Sequence, residues 1–123
     1  MTDFNFVLLY VANPPASAAF YATLLDRPVV EESPTFAMLP LRDGVMLGLW
    51  SKATVEPAAA GAPGAAEIAF TVADAATVGA THDAWAKRGL SIAQRPAKMD
   101  FGTTFVALDP DGHRIRVFAP ERA

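Results

Sequence analysis

The second half of this chain repeats the first half. The stretch from Phe6 to Asn13 (FVLLYVAN) lies over the stretch from Glu67 to Asp74 (EIAFTVAD), sixty-one positions later. The stretch from Gly44 to Trp50 (GVMLGLW) likewise aligns with residues 112–118 (GHRIRVF), sixty-eight positions later. An internal duplication means that one supersecondary unit is built twice. The 123 residues therefore predict two similar modules within a domain of ordinary size.

Each half predicts the element order β-α-β-β-β. In the first half, residues 4–11 form an apolar run that we interpret as a strand buried on both faces, and Asn13 can cap the helix that follows. We expect short strands at residues 29–32, 35–41 and 45–50. The apolar stripe predicted for the helix consists of Ala18, Ala19, Phe20, Leu24 and Leu25.

The second half follows the same order of elements, and its last two strands are marked by a recognisable turn. Asp74 can cap a helix that ends at Gly89, and a strand is expected at residues 90–93, followed by a break at residues 96–100. Residues 101–118 then predict a β-hairpin around the turn Asp-Pro-Asp-Gly at 109–112. The inward face predicted for the helix consists of Val78, Thr81, Ala84, Trp85 and the stem of Arg88.

A segment rich in alanine, proline and glycine separates the two halves. Residues 51–65 show no hydrophobic period, so we interpret them as a surface linker between a module at 4–50 and a module at 66–118.

Composition excludes several classes of protein. The net charge of −3 and the lack of a basic cluster argue against a nucleic-acid partner. The chain contains no cysteine, which excludes disulfides and thiolate metal sites, and no apolar run is long enough to span a membrane. The N-terminal region is a poor signal peptide. We expect a cytoplasmic domain.

Taken together, these features resemble the vicinal oxygen chelate superfamily, which includes glyoxalase I, extradiol dioxygenases and bleomycin-resistance proteins. The resemblance depends on the paired modules, on Asn13 followed by Phe20-Tyr21 and Leu24-Leu25, and on the turn at 109–112. It implies an α+β fold in which two βαβββ modules form a cupped, mixed, eight-stranded sheet around a ligand cavity. It also implies a homodimer, in which modules could be swapped between chains.

The metal enzymes of this superfamily carry ligands at positions that correspond here to Phe6, Gly48, Glu67 and Arg116. Only Glu67 could coordinate a metal, because phenylalanine and glycine side chains have no donor atom and arginine stays protonated. We therefore expect no metal and no other cofactor. His82 is interpreted as a partly exposed helix residue and His113 as a residue at the rim.

The alternation of side chains along the strands predicts which residues would line the cavity. We expect Glu67 and Arg116 to form an ion pair, although the arginine could instead bind a carboxylate or a quinone-like oxygen of a ligand. Gly48 is expected to leave room for the ligand, and Thr103 to flank it. The predicted ligand-binding residues are Phe6, Phe36, Met38, Met46, Gly48, Trp50, Glu67, Met99, Phe101, Arg114, Arg116 and Phe118.

This set of aromatic, thioether and charged side chains is typical of a site for a flat apolar molecule with a polar edge. The function that it favours is metal-free sequestration of a planar aromatic drug or secondary metabolite, as in antibiotic resistance, with no catalytic residue. One alternative is an enzyme, either a metal-independent lyase or isomerase with Glu67 as general base or a metal-dependent glyoxalase or dioxygenase. Another is a structural module whose aromatic residues simply fill the sheet.

Overall fold

The computed structural model describes residues 3–121. Within these residues eight strands and two helices follow one another as βαβββ twice, which confirms the predicted α+β fold. The first module consists of β1 (Phe6–Val11), α1 (Pro14–Leu25), β2 (Glu31–Glu32), β3 (Phe36–Arg42) and β4 (Val45–Ser51). The second module consists of β5 (Glu67–Thr71), α2 (Ala75–Lys87), β6 (Ser91–Met99), β7 (Gly102–Leu108) and β8 (Arg114–Pro120).

The chain divides between Gly61 and Ala62 into two compact units, each with one module. The strands form two four-stranded mixed sheets, in the orders β1-β4-β3-β2 and β5-β8-β7-β6, rather than one hydrogen-bonded sheet of eight. In each unit the first strand is parallel to the last strand, and the remaining pairs are antiparallel.

The strand register reproduces the sequence repeat. Leu8 pairs with Gly48 in the first sheet, and Ala69 pairs with Arg116 in the second sheet. These two pairs occupy equivalent places in the two modules, as the sequence alignment predicted. Residues aligned by the repeat therefore occupy equivalent positions in the two sheets.

One helix covers one face of the first sheet. Leu39, Leu47 and Leu49 on the helix side are fully buried. On the opposite face Phe6, Leu8 and Tyr10 are 41–44% exposed, so the prediction that β1 is buried on both faces is wrong for this unit. The reason is that α1 packs on β3 and β4 from a single side.

The inward face of α1 also differs from the prediction. Pro14, Ser17, Ala18 and Tyr21 are the buried residues, whereas Ala19 is exposed. Successive helix residues are about 100° apart, so Ala18, Ala19 and Phe20 could not share one stripe. Small side chains at 17 and 18 provide the surface that approaches the sheet, and Tyr21 provides the bulk.

The second unit is built around Phe105. This residue is fully buried, and its ring lies edge-on to those of Trp85 and His82 on α2, with centroids 5.5 Å and 5.4 Å apart. Val78 is buried as predicted, Thr81 is half-buried, and Ala84 and Arg88 are exposed, which corrects two of the predicted inward residues. His82 takes an inward position because its ring packs on Phe105.

Strand β6 continues through the predicted break. It runs from Ser91 to Met99 and includes Pro96, with register shifts between Ile92 and Gln94 and between Gln94 and Ala97. Since β6 is the edge strand of its sheet, a proline without an N–H can be accommodated at such an irregularity.

The hairpin turn and the caps form as the sequence predicted. Asp109 Oδ1 accepts hydrogen bonds from the N–H groups of Asp111 and His113, at 2.9 Å and 2.8 Å, and Gly112 has φ of 98°. Asn13 and Asp74 cap α1 and α2.

The segment after β4 only partly matches a surface linker. Val55 is 4% exposed and its N–H donates to the carbonyl of Ser51, so residues 51–55 form a turn packed in the first unit. Residues 56–67 are exposed. Among the described residues, no helix is long and apolar enough to cross a membrane.

Candidate functional site: a charged face and an apolar face

The face of the second sheet that points away from α2 carries a cluster of charge, which we call the charged face. Antiparallel partners share a face, so Thr104 lies on the same side as its partner Phe118, and Gln94 on the same side as Val106. Phe101 joins this side from the β6–β7 turn, because its ring contacts that of Phe118. The charged face consists of Glu67, Gln94, Phe101, Thr104, Arg114, Arg116 and Phe118.

Glu67 and Arg116 form the predicted ion pair. Arg116 Nε donates to Glu67 Oε1 at 2.5 Å, and Nη2 donates to Oε2 at 3.4 Å, which gives a two-point contact between guanidinium and carboxylate. Their side chains are 17% and 30% exposed. The pair is confirmed, and it connects the first and last strands of the module.

Two residues that the sequence analysis missed hold the remaining side of Arg116. Its Nη1 donates to Thr104 Oγ1 at 3.1 Å and to Gln94 Oε1 at 3.3 Å. Thr104 in turn donates to the carbonyl of Val117 at 3.0 Å, so its oxygen is oriented to accept from the arginine. Every nitrogen of the Arg116 guanidinium therefore has a protein partner.

Thr104, not Thr103, lies on the charged face. Alternation counted from Phe101 predicted Thr103, but Phe101 belongs to the turn, and β7 begins at Gly102 with φ of 142°. Thr103 pairs with Ala119 on the helix side. Counting back from the buried Phe105 would have identified Thr104.

Arg114 shares the same carboxylate in a looser way. Its Nε lies 3.2 Å from Glu67 Oε2, but the angle is not that of a hydrogen bond, and this buried nitrogen has no other acceptor among the described residues. The side chain is 40% exposed. The cluster thus contains two guanidinium groups for one carboxylate.

Aromatic rings border this cluster. The rings of Phe101 and Phe118 meet edge to face, with centroids 5.8 Å apart, and Arg116 Cζ lies 6.0 Å from the centre of the Phe101 ring. Phe101 is 45% exposed and Met99 is 43% exposed. Gln94 Nε2 lies 3.4 Å from Met99 Sδ, which brings the predicted Met99 to the same edge.

The equivalent face of the first sheet is mainly apolar, with Glu31 opposite Met38 on the edge strand β2, and we call it the apolar face. The rings of Phe36 and Trp50 lie edge to face at 6.3 Å. Met38 and Met46 pair with Gly48 and Phe6, so they share this side. The apolar face consists of Phe6, Leu8, Tyr10, Phe36, Met38, Met46, Gly48 and Trp50.

Gly48 does not leave open space for a ligand. A Cβ atom at this position would lie 2.6 Å from Leu8 Cδ2 and 3.1 Å from Phe36 Cζ, and the residue is buried. The expectation of room at Gly48 is corrected: Leu8 and Phe36 close over it.

The residues at the superfamily's metal positions do not fit a divalent ion. Phe6 and Gly48 provide no donor, and the two oxygens of Glu67 face the guanidinium groups of Arg114 and Arg116. In the described part of the chain, no three His, Cys, Asp or Glu side chains come together as a metal site would require. His82 packs on Phe105 instead.

A shallow surface depression of about 520 Å³ lies elsewhere, at the turn between β3 and β4. Arg27, Pro40, Arg42 and Asp43 line it, and none of them is a predicted ligand-binding residue. We assign the candidate site to the charged face, where rings and hydrogen-bond donors converge.

Comparison with known proteins agrees with this fold. The family model described as Glyoxalase/Bleomycin resistance protein/Dioxygenase superfamily matches residues 3–117. The chain belongs to this superfamily. It is 29% identical over 116 residues to the phenazine antibiotic resistance protein EhpR of Enterobacter agglomerans, covering 92% of this chain and 88% of that protein.

Solved structures of the superfamily fold are also similar. The solution structure of protein ATC0852 from Agrobacterium tumefaciens is 50% identical, with a TM-score of 0.89, and covers 99% of this chain and 100% of that chain. Lactoylglutathione lyase from Agrobacterium tumefaciens has a TM-score of 0.77 at 16% identity, covers 97% of this chain and 94% of that chain, and shows the fold alone. The superfamily includes both enzymes and resistance proteins.

Proposed function

We propose that this protein binds a planar aromatic drug or secondary metabolite and sequesters it unchanged, without a metal. The observation that carries the proposal is the charged face, where Phe101 and Phe118 border a fixed arginine cluster. Rings of this kind stack on or meet the edge of a flat ligand, while guanidinium groups bind its polar atoms. Such a site can hold an aromatic molecule without reacting with it.

The chemical class of the ligand is suggested by a relative. EhpR is a phenazine antibiotic resistance protein by name, and phenazines are flat molecules of three fused rings with ring nitrogens that accept hydrogen bonds. We propose a ligand of this shape. The apolar face offers a second aromatic surface, in which the rings of Phe36 and Trp50 meet edge to face.

The proposal includes a homodimer in the cytoplasm. Support for association comes from Phe6, Leu8 and Tyr10, whose apolar side chains are about two-fifths exposed in the chain. The lack of cysteine suits a reducing compartment.

An enzyme with Glu67 as general base is the competing function. The hydrogen bonds from Arg116 argue against it, because a base needs a free lone pair directed at its substrate. Turnover measured on the wild-type protein and on Glu67→Gln separates the two functions. An enzyme with Glu67 as base would show turnover that the substitution abolishes, whereas a binding protein would show none in either form.

Binding is tested by calorimetric titration of the protein with phenazine, followed by mass analysis of the recovered ligand. We expect saturable binding and an unchanged ligand. Phe101→Leu should weaken binding by about 0.5–1.5 kcal/mol, since one aromatic contact is removed. Phe20→Leu is the control, because Phe20 lies on α1, outside both faces. Absence of saturable binding, or conversion of the ligand by substoichiometric protein, would contradict the proposal.

Metal content provides an independent test. Protein purified without a metal-affinity tag, and again after soaking with Ni, Zn, Mn and Fe salts, should contain far less than one equivalent of each metal. The reason is that Arg114 and Arg116 occupy the oxygens of Glu67. A stoichiometric metal would favour the glyoxalase or dioxygenase alternative.

A further inference from the structure

The two arginines of the charged face differ in how many of their guanidinium nitrogens have a hydrogen-bond partner. Arg116 has a hydrogen-bond partner on Nε, Nη1 and Nη2, and its side chain is 17% exposed. A guanidinium held in this way has little capacity left for a ligand, because its donors are already directed at Glu67, Gln94 and Thr104. Its effect on a ligand is indirect, through the carboxylate that it fixes.

Arg114 is in the opposite situation. Within residues 3–121 its two Nη atoms donate no hydrogen bond, and its buried Nε faces Glu67 Oε2 at 3.2 Å without hydrogen-bond geometry. At 40% side-chain exposure its outer edge is accessible. An arginine with an anchored stem and free outer donors presents a planar fork to solvent.

The charge of the cluster favours an anion. Arg114 and Arg116 carry two positive charges, and Glu67 neutralises one of them. The remaining charge is on Arg114, which lies on the same face of the sheet as the ring of Phe118. A ligand carrying one negative charge would complete the pairing of the cluster, whereas a neutral ligand would leave it incomplete.

We propose that Arg114 binds the carboxylate of a monoanionic aromatic acid, and that it makes the protein select such acids over neutral aromatics of the same shape. The inference rests on the proposed function and narrows its ligand class. Arg116 is then a positioning residue, which holds Glu67 against Arg114. A carboxylate can accept two parallel hydrogen bonds from the free edge of the Arg114 fork.

The spacing along β8 limits the shape of the ligand. Arg114 and Phe118 lie on the same face four residues apart, which corresponds to about 13 Å along a strand. A ligand that reaches both must have an extended ring system with its carboxylate toward one end. Phenazine monocarboxylates have this form, and benzoate is too short.

The test compares two ligands on one set of variants. Calorimetric titrations with a phenazine monocarboxylate and with unsubstituted phenazine are made on the wild-type protein, Arg114→Gln, Arg114→Lys and the control Arg88→Gln. Arg88 is exposed at the end of α2, on the other side of the sheet. We expect Arg114→Gln to weaken binding of the acid tenfold or more, about the effect of losing hydrogen bonds to a charged group. Binding of phenazine should change little.

The remaining variants and conditions add independent readouts. Arg114→Lys should retain part of the preference for the acid, because it keeps the charge and loses the fork. Added salt should weaken binding of the acid more than binding of phenazine. Thermal unfolding of each variant checks that it is folded. If Arg114→Gln does not fold, the comparison of the two ligands is made with Arg114→Lys.

The outcomes separate the inference from the proposed function. If the wild-type protein binds both ligands equally and Arg114→Gln changes neither, the role of Arg114 is overturned and aromatic binding stands. Equal weakening of both ligands by Arg114→Gln would indicate a structural role and would also overturn it. If the wild-type protein binds neither ligand, the proposed function itself fails.

Discussion

The two modules have the same scaffold and different chemistry. Their strands pair in the same register, and their helices cover the same side of each sheet. On the other side, equivalent positions hold unlike residues. The three pairs are Phe6 and Glu67, Met46 and Arg114, and Gly48 and Arg116. One face is therefore a cluster of charge and the other an aromatic and thioether surface.

The contrast shows which side of a module constrains the sequence. The central helix-facing residues of the last strand are apolar in both modules, with Leu47 and Leu49 fully buried in one and Ile115 and Val117 at most 1% exposed in the other. Burial of these side chains supplies most of the stability of each sheet. The opposite face is under less constraint from the core, so it has a methionine in one module and an arginine at the equivalent position of the other.

The largest effect is expected from a substitution that disrupts the core of the second unit alone. Phe105→Ala should lower the free energy of unfolding by about 3–5 kcal/mol, because a fully buried ring that packs on Trp85 and His82 is removed. The first unit has Ala37 at the equivalent position, opposite Leu49, so it does not depend on a ring there. Denaturant unfolding followed by circular dichroism measures the change.

Phe101→Ala is the matched control for this substitution. Phe101 is 45% exposed in a turn, so its loss should cost less than about 1 kcal/mol. Equal destabilisation by the two substitutions would mean that the second unit is not built around Phe105.

A smaller loss of stability is expected when the shared carboxylate of the charged face is removed. Glu67→Gln should lower the free energy of unfolding by about 1–3 kcal/mol, since Arg114 and Arg116 would then repel each other without a shared carboxylate. Added salt should recover part of this loss by screening the repulsion. Denaturant unfolding at low and high salt measures both.

The same substitution at Glu121 provides the control. Glu121 pairs with Lys98 at 2.9 Å, with side chains 52% and 72% exposed, and a surface pair of this kind contributes little. If Glu121→Gln destabilised the protein as much as Glu67→Gln, the charged face would have no special role in stability.

Much of the architecture could be predicted from the sequence because it depends on local rules. The repeat fixed which strands are equivalent, and the turn at 109–112 has the side chains that such turns require. The pairing of Glu67 with Arg116 followed from their positions on neighbouring strands and from the cost of burying an unpaired charge.

The rest depended on packing that a sequence does not display. Alternation predicts Thr103 instead of Thr104 because it does not show that Gly102 shifts the start of β7. Pro96 predicts a break because the sequence does not show that its strand lies at the edge of the sheet. The contact of Arg116 with Gln94 comes from β6, where the register shifts once on each side of Gln94. Local patterns cannot locate such shifts.

The smallest expected effect concerns the helix caps, which also differ between the modules. Asn13 Oδ1 accepts from the N–H of Ala16 at 3.1 Å, and this cap carries no charge. Asp74 Oδ1 accepts from Thr77 Oγ1 at 2.6 Å and from the Thr77 N–H at 2.8 Å. These two hydrogen bonds hold the pKa of Asp74 below its ordinary value of 3.8, and the bond from the Thr77 side chain has the larger effect. Acid should therefore weaken the cap of α2 and leave that of α1 unchanged.

The sign follows from the lowered pKa of Asp74. Its contribution to stability is present above the unfolded pKa, near 3.8, and is lost as the pH falls through the lower folded pKa. Asp74→Asn keeps a capping oxygen and removes this titration, so the variant should lose slightly less stability in acid than the wild-type protein. Asn13→Asp should introduce an acid-dependent loss into the first unit, because a carboxylate is stabilised at a helix N-terminus. Thermal unfolding at neutral pH and below pH 3.8 measures both differences, and identical acid sensitivity of wild type and Asp74→Asn would show that the cap does not distinguish the modules.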